Sequence, residues 1–298
     1  MSQDIHGILL LDKPLGVSSA GAVARVKRLF DARKAGHTGS LDPLASGFLA
    51  IGLGEGTKFG SHLFESDKTY RVGVRLGERT ASADRETEVI ERRALAVYRE
   101  AELASALASF PRTYQQVPPM NSAIKQAGKP LYAYARAGIT RERAPREVTL
   151  HDISLRHWAT PDLVFDVTCS KGTYIRVLAE DIAARLGTIG HLIELRRLSV
   201  SPFQTEAMHS FEALEAMSAT QRLGVLLGID ASLLCYPRLD LDLSLEAALL
   251  QGRAVAVSAA PGTVRIYGAE GQFLGLGNVD DSGQLQPRRL IVKAANRA

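Results

Sequence analysis

The fold of this chain is constrained most by the segment from Gly36 to Gly47, which reads GHTGSLDPLASG. It surrounds a single carboxylate, Asp42, with glycines and hydroxyl side chains, and a proline follows directly. Pro43 disfavours the α region for Asp42, so a helix is not expected to run through this point. Residues of these types form ordinary surface turns, and they also suit a loop that holds one acid rigidly against a flat ligand. The local sequence leaves both interpretations open.

Composition places the chain among ordinary globular proteins. Its 298 residues are 46% hydrophobic and 23% charged, enough for one large domain or two smaller ones. We expect a cytoplasmic protein, because no apolar run approaches membrane-spanning length and the N-terminus lacks a signal pattern. The two cysteines, Cys169 and Cys235, lack metal-like spacing, and we interpret both as reduced core thiols. A reactive free thiol is the alternative.

The charge pattern favours an anionic partner. The formal net charge is +4, and 27 arginines stand against 9 lysines. Between residues 112 and 176 there are ten basic and five acidic residues. Such a local excess of arginine and lysine is typical of proteins that bind nucleic acid, although it does not prove such binding.

Hydrophobic periodicity predicts an α+β chain. The predicted strands are Gly7–Asp12, Phe48–Leu53, Tyr70–Leu76, Leu163–Ser170 and His191–Val200. The predicted helices are a segment capped by Ser18 or Ser19 that reaches Phe30, Ala101–Phe110, Leu131–Ala137 and Ile175–Leu186. The predicted irregular segments are Thr80–Glu91, Pro111–Lys129 and Thr140–Glu147. Beyond Tyr236, short alternating segments at Val264–Tyr267, Gln272–Leu276 and Arg289–Val292 predict a small β module.

A set of motifs occurs in order along the chain. They are LDKPLGVSS at 11–19, GHTGSLDPLASG at 36–47, KTYRV at 68–72, SKGTYIRVL at 170–178 and LRRL at 195–198. Together they resemble the bacterial TruB-type tRNA pseudouridine-55 synthases, and the resemblance covers essentially the whole chain. The stretch VPPMNSAIKQAGKPLYAYARAG at 117–138 resembles the RNA-gripping insertion of that family. One position departs: Asn121 stands where many members carry an aromatic residue. This departure puts a stacking contact from that position in doubt.

The resemblance implies a fold and an activity. Residues 1–235 would form a pseudouridine-synthase-like catalytic domain with a mixed, largely antiparallel sheet, and residues 236–298 a small β-rich, PUA-like RNA-binding domain. The family breaks the N-glycosidic bond of uridine 55 in the T arm of tRNA, rotates the uracil and rejoins it through C5. We therefore expect tRNA as the partner and neither a cofactor nor a metal, and a monomer suffices. An accessory tRNA-folding role is also expected.

The resemblance also implies roles for individual residues. Asp42 matches the catalytic aspartate, Arg176 its ion-pair partner, and Tyr70 the ring that stacks on the extruded uracil. Asp42 could attack the sugar or the base, or act as a base that helps to expel uracil, and both routes stay open. The residues expected to bind substrate are His37 beside the displaced nucleotides, Lys13 near phosphate, Leu195 in the base pocket, and Lys125, Lys129 and Arg136 along the RNA backbone, with Arg141 and Arg143 beside them.

Each of these residues has a simpler interpretation. Arg176 alone would be a surface arginine, Tyr70 and Leu195 would be core residues, and Lys13 would be solvated. An RNA-binding protein without catalysis is the competing function, and the intact Asp42, Tyr70 and Arg176 argue against it. A phosphate-loop hydrolase is excluded, because residues 52–58 lack the spacing of that motif.

Overall fold

A computed structural model describes residues 4–203 and 208–291 of the chain. Within them, one compact unit is formed by residues 4–42, 48–64 and 208–291, and a second by residues 43–47 and 65–203.

The strands, in chain order, are β1 (Gly7–Lys13), β2 (Ala35–His37), β3 (Ala45–Leu53), β4 (Lys68–Leu76), β5 (Glu78–Thr80), β6 (Val89–Arg92), β7 (Thr113–Gln116), β8 (Lys125–Gln126), β9 (Lys129–Pro130), β10 (Arg146–Ala159), β11 (Asp162–Cys169), β12 (Gly190–Val200), β13 (Arg238–Asp240), β14 (Val255–Ala256), β15 (Gly262–Tyr267), β16 (Phe273–Val279) and β17 (Gln284–Leu290). The helices are α1 (Ser19–Leu29), α2 (Ser61–Phe64), α3 (Glu100–Ala108), α4 (Leu131–Arg136), α5 (Ile175–Arg185), α6 (Phe211–Ala216), α7 (Ala219–Gly224) and α8 (Leu243–Leu250), with 3₁₀ turns at Gly54–Lys58 and Ile229–Leu233.

The N-terminal part of the first unit is built on a short sheet. Strand β1 lies beside β3, and β2 pairs antiparallel with the end of β3. Helix α1 starts at the predicted cap, because the Ser18 hydroxyl accepts a hydrogen bond from the Gly21 amide at 3.0 Å. Apolar residues at helical spacing on α1 pack on the strands in a core with Leu9, Leu49 and Phe211.

The C-terminal part of the first unit is a five-stranded sheet in the order β13-β15-β16-β17-β14. The three strands expected there are confirmed, although β17 begins earlier than predicted, at Gln284. Val292, the last residue of the predicted segment, lies outside the described residues. Helix α8 was not predicted; its Asp242 cap accepts a hydrogen bond from the Leu245 amide at 2.9 Å.

The second unit contains the mixed, largely antiparallel sheet that the family resemblance implied. Its order is β3-β12-β4-β11-β10-β7, where only the first residues of β3 take part. These residues run parallel to β12, while the other neighbours are antiparallel. Helix α5 packs against β12 and β4, and α3 packs against β10.

Several predictions about this unit were incomplete or wrong. The irregular segment Pro111–Lys129 contains β7, and the whole of β10 was missed. Strand β7 is the edge strand and β10 lies next to it, and most side chains of both strands are at least partly exposed, so polar residues interrupt the apolar alternation. The segment Thr80–Glu91 is bounded by paired strands, β5 and β6, rather than being irregular throughout.

The two cysteines differ in environment. Cys169 is buried, as expected, but Cys235 is exposed, so its interpretation as a core thiol was wrong. Burial raises the pKa of the Cys169 thiol to about 12. Among the described helices, none combines the length and apolar composition that a membrane span requires.

Candidate active site

The chain is held on both sides of Asp42. On the N-terminal side, the buried hydroxyl of Ser19 accepts a hydrogen bond from the Leu41 amide at 2.7 Å and lies 3.0 Å from the Leu41 carbonyl oxygen, to which it donates. On the C-terminal side, Ala45 is paired with Leu195 of β12. Asp42 itself is half-buried. Each flanking segment is therefore fixed within its own unit, and the rigid presentation of Asp42 stays a prediction.

Gly47 lets the chain approach β12 closely. Its φ is +96°, and a Cβ at this position would lie 2.2 Å from the Arg197 carbonyl oxygen. No side chain fits there, so the glycine is needed for the pairing that follows Asp42. Upstream of Asp42, the His37 ring is half-buried and its Nδ1 accepts a hydrogen bond from the Gly39 amide at 3.4 Å.

Lys13 is fully buried at the end of β1. Its ammonium donates to the carbonyl oxygens of Val17 at 2.6 Å and of Pro14 at 3.1 Å. The interpretation of Lys13 as a solvated lysine was therefore wrong. This lysine closes the turn that leads into α1, and its contact with phosphate stays a prediction.

Tyr70 and Leu195 lie on one face of the sheet in the second unit. Leu195 is paired with Val72, and Tyr70 lies two residues before Val72 on β4, so their side chains point the same way. Tyr70 is 8% exposed and Leu195 7% exposed. An aromatic ring and a leucine that just reach the surface can line a pocket for a flat base.

Arg176 lies in the first turn of α5, with a side chain that is only 9% exposed. Its Nη1 lies 3.6 Å from Oδ2 of Asp84, and its Nη2 donates to the Asn121 carbonyl oxygen at 2.8 Å. The interpretation of Arg176 as an ordinary surface arginine was wrong. Its ion pair with Asp42 stays a prediction.

Asp84 is a buried carboxylate that sequence reasoning missed. Its side chain is 2% exposed, and Oδ1 accepts from the Ser82 hydroxyl at 2.5 Å and from the Glu86 amide at 3.0 Å. The backbone beside it is bonded to β12, through Leu192 N to Ala83 O and Arg85 N to Leu192 O, both at 3.0 Å. The only sequence signal was a carboxylate among short hydroxyl residues, which also describes an ordinary polar loop.

The predicted backbone-contacting cations lie on one exposed segment. Lys125 and Lys129 flank a tight hairpin between β8 and β9, and Arg136 ends α4. All three side chains are exposed, and the Arg136 guanidinium lies 5.4 Å from the centre of the Tyr132 ring. Exposed cations beside an aromatic ring are suited to an RNA strand. Within residues 4–203 and 208–291, no group of three or more His, Cys, Asp or Glu side chains could hold a metal ion.

The sequence matches established family descriptions along most of its length. Residues 27–175 match the TruB family pseudouridylate synthase (N terminal domain). Residues 176–233 match the tRNA pseudouridylate synthase B C-terminal domain, and residues 237–291 match Pseudouridine synthase II TruB, C-terminal. The chain belongs to the TruB family of pseudouridylate synthases. It is therefore an isomerase that makes pseudouridine, and the resemblance noted in its motifs is confirmed.

Similar proteins support the same assignment for this TruB family member. The tRNA pseudouridine synthase B of Chromohalobacter salexigens is 46% identical over 295 residues, which cover 98% of this chain and 96% of that protein. That of Burkholderia pseudomallei is 46% identical over 299 residues, 98% of each chain. Among solved structures, a Cbf5-Nop10-Gar1 complex gives a TM-score of 0.73 at 23% identity and covers 95% of this chain and 84% of that chain. This last likeness concerns the fold.

Proposed function

We propose that this TruB family member converts uridine 55 in the T arm of tRNA to pseudouridine. Asp42 is the essential carboxylate, Arg176 its partner cation and Tyr70 the ring that stacks on the extruded base. The observation that supports this most is the buried Arg176, whose guanidinium is held by Asp84 and by the Asn121 carbonyl. The relatives at 46% identity carry the name tRNA pseudouridine synthase B, and they match this chain over 96% and 98% of their own length.

The reaction needs a charged acid away from water. An ionised carboxylate in a dry pocket is costly unless a cation compensates it. During the isomerisation the bond from uracil N1 to the ribose C1′ breaks and a bond from C5 to C1′ forms, and the proton that C5 loses is matched by a proton that N1 gains. Asp42 contributes as a nucleophile or as a base, and the atoms balance without any further reactant.

Substrate binding requires extrusion of the target base. Unstacking a nucleotide costs about a few kcal/mol, which contacts to the displaced strand must offset. In our proposal His37 supports the extruded geometry and Leu195 lines the base pocket. The cations of the 117–138 segment follow the RNA backbone, so binding weakens as salt is raised. The protein acts as a monomer in the cytoplasm.

A T-arm stem-loop transcript carrying tritium at uridine C5 tests the proposal. Wild-type protein should release the tritium, because C5 gains a carbon bond in place of its hydrogen. Asp42→Asn should bind the transcript without releasing it, whereas Asp31→Asn, an exposed aspartate in the same unit, should react at the wild-type rate. The proposal is wrong if wild type binds and releases nothing, and the role of Asp42 is wrong if Asp42→Asn reacts normally.

The accessory role in tRNA folding stays a prediction with its own test. A variant that binds without reacting separates the two functions. Asp42→Asn should still increase the yield of folded tRNA from a misfolded transcript, measured by aminoacylation. Loss of this effect together with the isomerase activity would contradict a separate folding role.

A further inference from the structure

Gln116, at the end of β7, is bonded twice to the residue that starts α5. It is 2% exposed. The Tyr174 amide donates to Oε1 of Gln116 at 2.7 Å, and Nε2 of Gln116 donates to the Tyr174 carbonyl oxygen at 3.1 Å. Tyr174 is the N-cap of α5, and its own side chain makes no capping bond. A bond to the N-cap amide is what a glutamine three residues into a helix can supply. Here it comes from a strand 58 residues away.

The orientation of the Gln116 side chain is fixed by a third bond. Its Nε2 also donates to the Tyr114 hydroxyl at 2.8 Å, so both carboxamide hydrogens are used. Burial and the nearby carboxylate of Asp181, in the middle of α5, raise the pKa of the Tyr114 hydroxyl. Tyr114 and Gln116 lie two residues apart on one side of β7, and Gln116 holds the start of α5.

These contacts are linked to Arg176. Arg176 lies two residues after Tyr174, and its Nη2 is bonded to the carbonyl of Asn121, five residues after Gln116. The segment 116–121 and the first turn of α5 are therefore joined at two points. Moving the start of α5 would move the guanidinium relative to both Asp84 and Asn121.

We propose that Gln116 is a positioning residue for the isomerase reaction. It fixes the first turn of α5, and through that turn it places the Arg176 guanidinium at the reacting centre. The inference rests on the proposed function, because it requires Arg176 to act on the reaction. Displacement of a reacting group by about 1 Å can cost about a hundredfold in rate, so the loss of Gln116 should be visible in catalysis.

The first experiment compares two neighbouring glutamines. Gln116→Leu removes all three bonds, and Gln115→Leu makes the same change at an exposed position of the same strand. Single-turnover tritium release from saturating T-arm transcript should fall about 10- to 100-fold in Gln116→Leu. Its dissociation constant, measured by filter binding, should stay within about twofold, and Gln115→Leu should match wild type in both. An unchanged rate in Gln116→Leu, or a loss of binding that accounts for the slower reaction, overturns the proposal.

A second variant keeps the test decisive if Gln116→Leu does not fold. Gln116→Glu preserves the shape and an acceptor for the Tyr174 amide, but an ionised carboxylate cannot donate to the Tyr174 carbonyl. A protonated carboxyl can, so the ratio of wild-type to variant rate should shrink as the pH falls from 8 to about 5.5. A ratio that stays constant over this range overturns the proposal. A wild-type protein that releases no tritium would instead reject the proposed function.

Discussion

Replacing Asp84 by asparagine tests whether burial or closeness decides the strength of an ion pair in this protein. Asparagine keeps the shape of the side chain and an oxygen that can accept from Ser82 and from the Glu86 amide. It removes only the negative charge beside Arg176. The Arg176 guanidinium, whose side chain is 9% exposed, would keep its positive charge but lose the negative charge of Asp84 that offsets it.

The expected magnitude follows from the distance. Two unit charges 3.6 Å apart attract each other by about 5 kcal/mol at an effective dielectric constant of about 20. Removing one partner of a buried pair costs about 3–5 kcal/mol in measured cases. Arg176 retains its bond to the Asn121 carbonyl in this variant. We therefore expect the unfolding free energy of Asp84→Asn to fall by the lower limit of this range, about 3 kcal/mol.

Asp162→Asn is the matched control in the same unit. Asp162 lies closer to its arginine, with 2.8 Å between Oδ1 and Arg75 Nε, but both side chains are about one-third exposed or more. An exposed pair contributes about 0–1 kcal/mol. The single tryptophan, Trp158, lies in this unit, so urea unfolding followed by its fluorescence reports the free energy for both variants. If Asp162→Asn costs as much as Asp84→Asn, burial does not set the strength of these pairs.

Two further predictions use the same unfolding assay. Gly47→Ala should cost more than about 3 kcal/mol, because strain at positive φ adds to the clash of its Cβ with the Arg197 carbonyl. Gly172→Ala, at φ +80° with open space around it, should cost only about 1–2 kcal/mol; equal losses would argue against the clash. Burial and the charge of Arg197 lower the pKa of Lys68 to about 8, so between pH 8 and 10.5 the unfolded chain binds a proton that the folded chain does not. The unfolding free energy of wild type should rise with pH across this window by on the order of 2 kcal/mol relative to Lys68→Met, after allowance for partial exposure. A constant difference between the two proteins would disprove the shifted lysine.

The parts of the fold that the sequence predicts are those whose side chains alternate cleanly. Strand β4 places Val72 and Val74 on the buried face and Arg71 and Arg75 on the other, and the periodicity alone predicts it. Strand β10 has no such signal, because most of its side chains are at least partly exposed. Its position is set by hydrogen bonds to β11 and β7, which no local pattern encodes.

The motif residues of the candidate site could be predicted from the sequence, but the residues that hold them in place could not. Asp42, Tyr70 and Arg176 stand in motifs that resemble a family, so their roles could be proposed from the sequence. Asp84 and Gln116 could not be found in that way. Their importance comes from burial and from hydrogen bonds to distant residues. Neither property can be predicted from a single aspartate or glutamine in a polar segment.

The bond from Arg176 to residue 121 ends on a backbone carbonyl, not on a side chain. Any amino acid offers that oxygen, so the asparagine in place of the usual aromatic leaves this contact untouched. The side chain at position 121 can therefore change while its backbone carbonyl still accepts the hydrogen bond from Arg176. A comparison of residue identities would therefore miss the interaction, since it leaves no covariation between positions 121 and 176. Engineering at this position can change what the side chain offers to RNA without disturbing the arginine behind it.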